Sequence, residues 1–117
     1  MSVAVMVVLI GTGSAWADLT DGLVAHWKLD GDANDSAGSN DGTLVNGPVW
    51  TAGQIDGALS FSNGVDYVDC GNDASLDITD AITVEAWIKP SEVNYNNSIL
   101  AKGSNYWFSW DYSLESI

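Results

Sequence analysis

The chain has 117 residues, of which 16 are Asp or Glu and only three are Lys or Arg, so the formal net charge is −13 at pH 7. Nucleic acids and anionic membranes are poor partners for such a surface, because binding to phosphate requires Lys and Arg. The single cysteine, Cys70, excludes an intramolecular disulfide. An acidic composition of this kind is typical of a solvated acidic face, and less often of bound divalent cations.

Residues 1–17 have the pattern of a secretory signal peptide. An apolar run at residues 3–10 is followed by small residues and by an Ala-x-Ala cleavage pattern ending at Ala17. The run is shorter than the roughly 20 residues that span a bilayer, although an uncleaved anchor helix is the alternative. We therefore expect cleavage, export to the extracellular space or periplasm, and no stable membrane insertion of the mature chain, residues 18–117.

The first strand of the mature chain is predicted at residues 22–29. Its residues alternate between two faces with a period of two, which is typical of a half-buried strand. The inward face is predicted to hold Leu23, Ala25, Trp27 and Leu29.

The acidic segment that follows, DGDANDSAGSND at residues 30–41, places oxygen-bearing side chains at the spacing of an EF-hand. The sixth position is Asp35 where an EF-hand needs Gly, and the flanks are strands, so that interpretation fails. Asx side chains that bond the backbone of a long turn are the favoured interpretation. Calcium bound by Asp32, Asn34 and Asp35 together with backbone carbonyls is the alternative, and calcium is the one candidate cofactor.

Short strands separated by polar turns continue to the end of the chain. A strand near residues 58–62 is followed by a turn at 63–66 and by a strand at 67–71, where Cys70 lies on the same side as Val68 as a small buried group. The clearest strand, residues 81–89, ends at Pro90, and a hairpin follows around Lys102 to Asn105. No window has a helical apolar stripe, and this spacing of strands predicts an all-β sandwich.

Four segments in this order resemble the laminin G-like, concanavalin A-like jelly-roll domains of secreted bacterial proteins. They are GLVAHWKLDGDANDSAGSNDGTL, GALSFSNGVDYVDCG, SLDITDAITVEAWIKP and SILAKG, and the match runs from Gly22 to about Trp110. The resemblance implies a two-sheet antiparallel jelly-roll sandwich of the lectin/glucanase type. Such domains need well over a hundred residues at ~8–12 residues per strand and turn. Residues 18–117 are therefore expected to be the N-terminal portion of a longer domain, and to fold poorly alone.

Aromatic residues are the candidate ligand-binding groups, because flat rings stack on sugars. Trp27 and Trp87 lie within alternating strands and are predicted to be core. In the segment YWFSWDY one face should be core and the other could form a carbohydrate platform. The candidate ligand-binding residues are Tyr106, Trp107 and Trp110.

Catalytic chemistry has little support in the sequence. The β-glucanases of the same fold carry an E-x-D-x-x-E pattern, and none of the three Glu residues, Glu85, Glu92 and Glu115, lies in one. The pentraxins, distant relatives by fold, bind calcium partly through an Asp-Asn pair, of which only Asn105 is present. His26 is the only histidine, and no triad can be assembled from these residues.

The predicted function is a secreted, non-catalytic recognition module that binds carbohydrate. The alternatives are an adhesion or protein-interaction domain whose partner is a cell-surface protein, and a remnant of a glycoside hydrolase.

Overall fold

The computed structural model of the chain describes residues 2–9, 20–90 and 97–110, and gives the backbone alone for residues 2–9, Asn97 and Trp110. Within these ranges the elements are strands, apart from a 3₁₀ turn at Ala74–Leu76. The strands are β1 (Ser2–Leu9), β2 (Leu23–Trp27), β3 (Thr43–Val45), β4 (Val49–Ala52), β5 (Gly57–Ser60), β6 (Tyr67–Asp69), β7 (Thr83–Lys89), β8 (Asn97–Lys102) and β9 (Tyr106–Trp110). The all-β prediction is confirmed for the described residues, at the level of fold class.

The strands form one larger sheet and two hairpin-sized sheets. The five-stranded sheet has the order β2-β1-β5-β4, with β7 paired to β1, and the two-stranded sheets are β3-β6 and β8-β9. Every one of these strand pairs is antiparallel. The jelly-roll arrangement expected from the resemblance stays a hypothesis, because the described sheets are small.

The core is formed by β2, β5, the turn that follows β2 and the 3₁₀ turn. Its buried side chains are Ala25, Trp27, Leu29, Ala33, Leu59 and Leu76. The period-two pattern of β2 is confirmed at Ala25 and Trp27, which are fully buried, whereas His26 between them is half-buried. Burial of one large side chain such as Leu59 contributes about 1.5–3 kcal/mol, so these few positions supply much of the apolar stabilisation.

Strand β7 also alternates, but its tryptophan faces outward. Val84 and Ala86 are half-buried and pack against the core, whereas Glu85 and Trp87 are on the opposite face. Trp87 is 56% exposed, so the prediction that it belongs to the core was wrong. Its position in the period-two pattern, and not its size, determines its burial.

Strand β4 is an element that the sequence pattern missed. Val49 follows Gly47-Pro48, a pair typical of a turn, and all four residues of β4 are exposed, so the strand has no alternation of buried and exposed positions. It pairs with β5 through Val49↔Ser60 to Ala52↔Gly57. Backbone pairing at the edge of the sheet therefore forms this strand without help from an apolar face.

Most of the apolar run of the predicted signal peptide lies in β1. Ser2–Leu9 pairs with β2, β5 and β7 in the five-stranded sheet. Cleavage after Ala17, which lies outside the described residues, stays a prediction. Nowhere in the described ranges is there a helix with the length and hydrophobicity that a bilayer crossing requires.

Candidate functional site

The Asp35 carboxylate is the centre of the acidic turn. Asp35 is only 6% exposed. It lies beside the end of β2, where it forms an isolated antiparallel β-bridge with Trp27. One oxygen, Oδ1, accepts hydrogen bonds from the backbone N–H groups of His26 (2.9 Å), Ala37 (3.0 Å) and Gly38 (2.9 Å). The other, Oδ2, accepts from the backbone N–H of Asn40 at 3.1 Å and from its side-chain amide at 3.2 Å.

These donors favour the charged form of Asp35. Burial alone would raise the pKa of the carboxyl, but the hydrogen bonds from His26, Gly38, Ala37 and Asn40 outweigh it, so the pKa is lowered. The turn also packs tightly, since a Cβ on Gly38 would lie 2.7 Å from the Asp35 Oδ2 atom and 2.8 Å from the Val24 carbonyl oxygen. Asp35 therefore fixes the path of the chain from β2 through residues 35–40.

Asp32 and Asn34, the other two predicted calcium ligands, are exposed in the same turn, and so is Asp41. Asp32 Oδ1 accepts the backbone N–H of Asn34 at 3.0 Å, and Asp41 Oδ1 accepts that of Asp35 at 2.9 Å. Such bonds are those of Asx turns. A carboxylate has about four lone-pair positions, and five N–H bonds already converge on Asp35, so a cation would have to displace some of them.

The arrangement supports the turn interpretation, and calcium binding by Asp32, Asn34 and Asp35 stays the untested alternative. Across the described ranges, no group of three or more His, Cys, Asp or Glu side chains is arranged to hold a metal ion.

A second polar cluster joins the β8-β9 hairpin to the 3₁₀ turn. The Lys102 side chain is buried, and its Nζ atom donates to the Asn72 side chain at 2.5 Å and to the Asp73 carbonyl at 3.4 Å. Its partner in an ion pair is Asp77, at 3.5 Å. The ammonium of Lys102 is thus held by oxygens, and it fixes the base of the hairpin against the preceding loop.

The hairpin has two further contacts with this loop. Asn105 Nδ2 donates to Asp77 Oδ1 at 3.3 Å, and the Tyr106 hydroxyl donates to the Leu76 carbonyl at 3.0 Å. Burial, and then the charge of Asp77, raise the pKa of Tyr106. Asn105, the position that matches the pentraxin pattern, therefore serves here as a donor to a carboxylate.

The candidate sugar-binding residues do not form one surface in the described structure. Tyr106 is half-buried and tied down by its hydroxyl, whereas Trp107, on the opposite face of β9, is 65% exposed. Phe108, on the Tyr106 face, is 37% exposed. The side chain of Trp110 lies outside the described residues, and a shared role in ligand binding for these residues stays a prediction.

Cys70, His26 and Glu85 are the other described side chains whose reactive groups were considered for catalysis. Cys70 is half-buried beside the core, and burial followed by the charges of Asp69 and Asp35 raises its pKa to about 12. His26 Nδ1 lies 3.1 Å from the Ser36 hydroxyl, which donates to the His26 carbonyl at 2.9 Å. Glu85 is exposed on the outer face of β7, and Glu92 and Glu115 lie outside the described residues.

Sequence reasoning missed the role of Lys102. Its partners are 25 to 30 residues away along the chain, and no local pattern indicates a buried lysine in a hairpin. The only signal available was that Asn and Asp residues are concentrated at residues 72–77. Asn40 was missed for the same reason, because its side-chain amide donates to the Ser75 hydroxyl, 35 residues away along the chain, at 3.2 Å.

The chain matches none of the family models, curated proteins or solved structures with which it was compared. The resemblance to laminin G-like domains is accordingly a hypothesis about the fold.

Proposed function

We propose that the chain is a secreted, non-catalytic recognition module of the laminin G-like jelly-roll type, and that it binds carbohydrate. The observation that carries the proposal is the exposure of Trp107, at 65%, on a strand whose base is anchored to the body of the protein. Antiparallel pairing throughout the described strands supports the jelly-roll part of the proposal.

A fixed aromatic platform suits a sugar better than a mobile one. The indole of Trp107 presents a flat apolar face and a polar N–H, a combination that suits a ring with both apolar faces and hydroxyls. Its neighbour Tyr106 is tied to the Leu76 carbonyl, and Lys102 holds the start of the turn. Little backbone conformational entropy would be lost on binding, because these contacts already order the strand that carries Trp107.

A protein partner is the second candidate, and the edge strand β4 favours it. Val49 is 61% exposed and Trp50 is 38% exposed on a strand whose one described partner is β5. An apolar edge strand can pair with an extended segment of another protein by β-augmentation.

A glycan array with the full-length exported protein tests the proposal. We expect Trp107→Ala to weaken binding of the recognised glycan about five- to tenfold, which corresponds to roughly 1–1.4 kcal/mol. Trp87→Ala, which removes an equally large exposed ring from β7, is the matched control and should keep the affinity. Absence of any bound glycan would overturn the proposal. If Trp107→Ala binds the glycan as tightly as the parent protein does, the binding site lies on another surface.

A further inference from the structure

Strand β1 has partners along both of its edges. One edge pairs with β7 from Ser2↔Lys89 to Leu9↔Thr83. The other pairs with β2 from Met6↔Trp27 to Leu9↔Leu23, and with β5 at Ser2↔Ser60 and Val3↔Leu59. Ser2–Leu9 is therefore a central strand of the five-stranded sheet.

The register places the core-facing residues of β2 and β7 opposite the same residues of β1. Met6 lies opposite Trp27 on one side and Ala86 on the other, and Val8 lies opposite Ala25 and Val84. Ala25 and Trp27 are fully buried, and the two β7 residues pack against the core. Met6 and Val8 thus hold the register positions between the core-facing residues of β2 and β7.

Without β1 this sheet would be divided. Within the described ranges β7 pairs with β1 alone, and β2 has in addition only the bridge from Trp27 to Asp35. Two edges of unpaired N–H and C=O groups would then face one another across a gap one strand wide. Unpaired backbone groups beside a core are costly, and such edges accept another strand readily.

The sequence of β1 suits that gap and also suits an export signal. Its eight residues, SVAVMVVL, carry no charge and include four valines, a residue type that favours strands. The same residues form the apolar part of the predicted signal peptide, which cleavage after Ala17 would remove. One segment cannot be a paired central strand and an accessible export signal at the same time.

We propose that the facing edges of β2 and β7 form a strand-acceptor slot, and that its occupant in the unprocessed chain is the chain's own Ser2–Leu9 segment. Folding of the unprocessed chain then masks its export signal. The slot opens only when this segment dissociates after cleavage behind Ala17.

The first test is amide hydrogen exchange on the full 117-residue chain. Val7→Pro removes a backbone N–H from β1 at the position opposite His26 and Glu85, and Val7→Thr is the matched control because it keeps the N–H and the branched Cβ. We expect Val7→Pro to lower the protection of amides in β2 and β7 at least about tenfold, with Val7→Thr near the parent chain. Unchanged protection in Val7→Pro would overturn the proposal.

A second test does not depend on how well the proline variant folds. A site-specific protease sequence is inserted between Ala17 and Asp18 of the full chain, and the folded protein is cleaved there and passed through gel filtration. The released segment should co-elute with the body, since it stays in the slot. Separation of the segment while β2 and β7 remain protected would overturn the proposal. A protected dimer of cleaved bodies would do the same, because a second copy would then be the occupant.

Discussion

The Trp27 indole Nε1–H donates a 2.7 Å hydrogen bond to the backbone carbonyl of Asn40, so the largest core side chain is bonded to the end of the acidic turn. Asn40 in turn gives its backbone and side-chain N–H groups to Asp35. The core of β2 and the acidic turn are therefore one hydrogen-bonded unit, and a change at Asp35 should be felt at Trp27.

Asp35→Asn should destabilise the protein by about 2–4 kcal/mol. The amide removes the charge that accepts several N–H bonds and turns a donor toward other donors. Asp32→Asn, at an exposed position with one hydrogen bond from the Asn34 backbone N–H, is the control and should stay within about 0.5 kcal/mol of the parent. The measurement is the urea midpoint at unchanged m-value. Similar losses in both variants would show that Asp35 is not the organising group.

Acid should weaken the same unit. The folded pKa of Asp35 is lowered below the value of about 3.9 for an unfolded chain. Its contribution to stability is therefore fully present above the unfolded pKa, and is lost as the pH falls below about 4 and through the folded value. Unfolding free energies measured between pH 7 and pH 2.5 should fall more steeply for the parent chain than for Asp35→Asn. Parallel curves would contradict this assignment.

The thiol of Cys70 should be unreactive in the folded protein. Burial beside the core, together with the negative charges of Asp69 and Asp35, raises its pKa to about 12, so little thiolate exists at pH 8. We expect iodoacetamide to alkylate Cys70 at least about a hundredfold more slowly in buffer than in guanidinium chloride, where the thiol pKa is near 8.5. Mass spectrometry of timed samples measures both rates. Rates within tenfold of each other would mean that the thiol is accessible.

Lys102→Met should loosen the β8-β9 hairpin. Methionine keeps much of the aliphatic stem but removes the ammonium that Asn72, Asp73 and Asp77 hold, and a loss of about 1–3 kcal/mol is expected. Lys28→Met, at an exposed position, is the matched control and should be nearly neutral. Urea unfolding and amide exchange in β9 are the measurements. If the two variants lose the same free energy of unfolding, the loss reflects only the removal of a positive charge and not the contacts of Lys102.

Local patterns predicted the parts of the fold that depend on local physics. The period of two in β2 predicted that Trp27 is buried, and the Asx residues of the acidic turn predicted side chains bonded to the backbone. The burial of Trp87 was predicted wrongly because its size was given more weight than its position on the exposed face of β7. Burial of a large ring depends on which face of a strand it occupies.

The contacts that hold the candidate site together depend on pairing between distant segments. Asn40 meets Ser75 across 35 residues, and Lys102 meets Asn72 across 30. Each of these side chains is common in exposed turns, so its type carries no information about a buried partner. The three-dimensional arrangement of strands selects these pairs, and a single sequence does not encode that arrangement in any short window.

Calcium should not stabilise the acidic turn specifically. Five N–H bonds already converge on the Asp35 carboxylate, and the Asp41 carboxylate is bonded to the backbone N–H of Asp35. A specific ion at 100 times its Kd would add about 2.7 kcal/mol to stability, which a thermal melt detects easily. We expect millimolar calcium at matched ionic strength to shift the melting temperature by the same small amount in the parent chain and its variants, through non-specific association of the divalent ion with the −13 charge.

The variants that decide this are Asp32→Asn and Asp35→Asn, with Asp80→Asn as the exposed control outside the turn. Each is melted with and without calcium, and the shift is compared with its own calcium-free midpoint, so the intrinsic cost of Asp35→Asn cancels. A calcium shift that both turn variants abolish and Asp80→Asn retains would establish a cation site at residues 32–35. Equal shifts in all four proteins would identify the segment as a turn whose carboxylates bind the protein's own N–H groups.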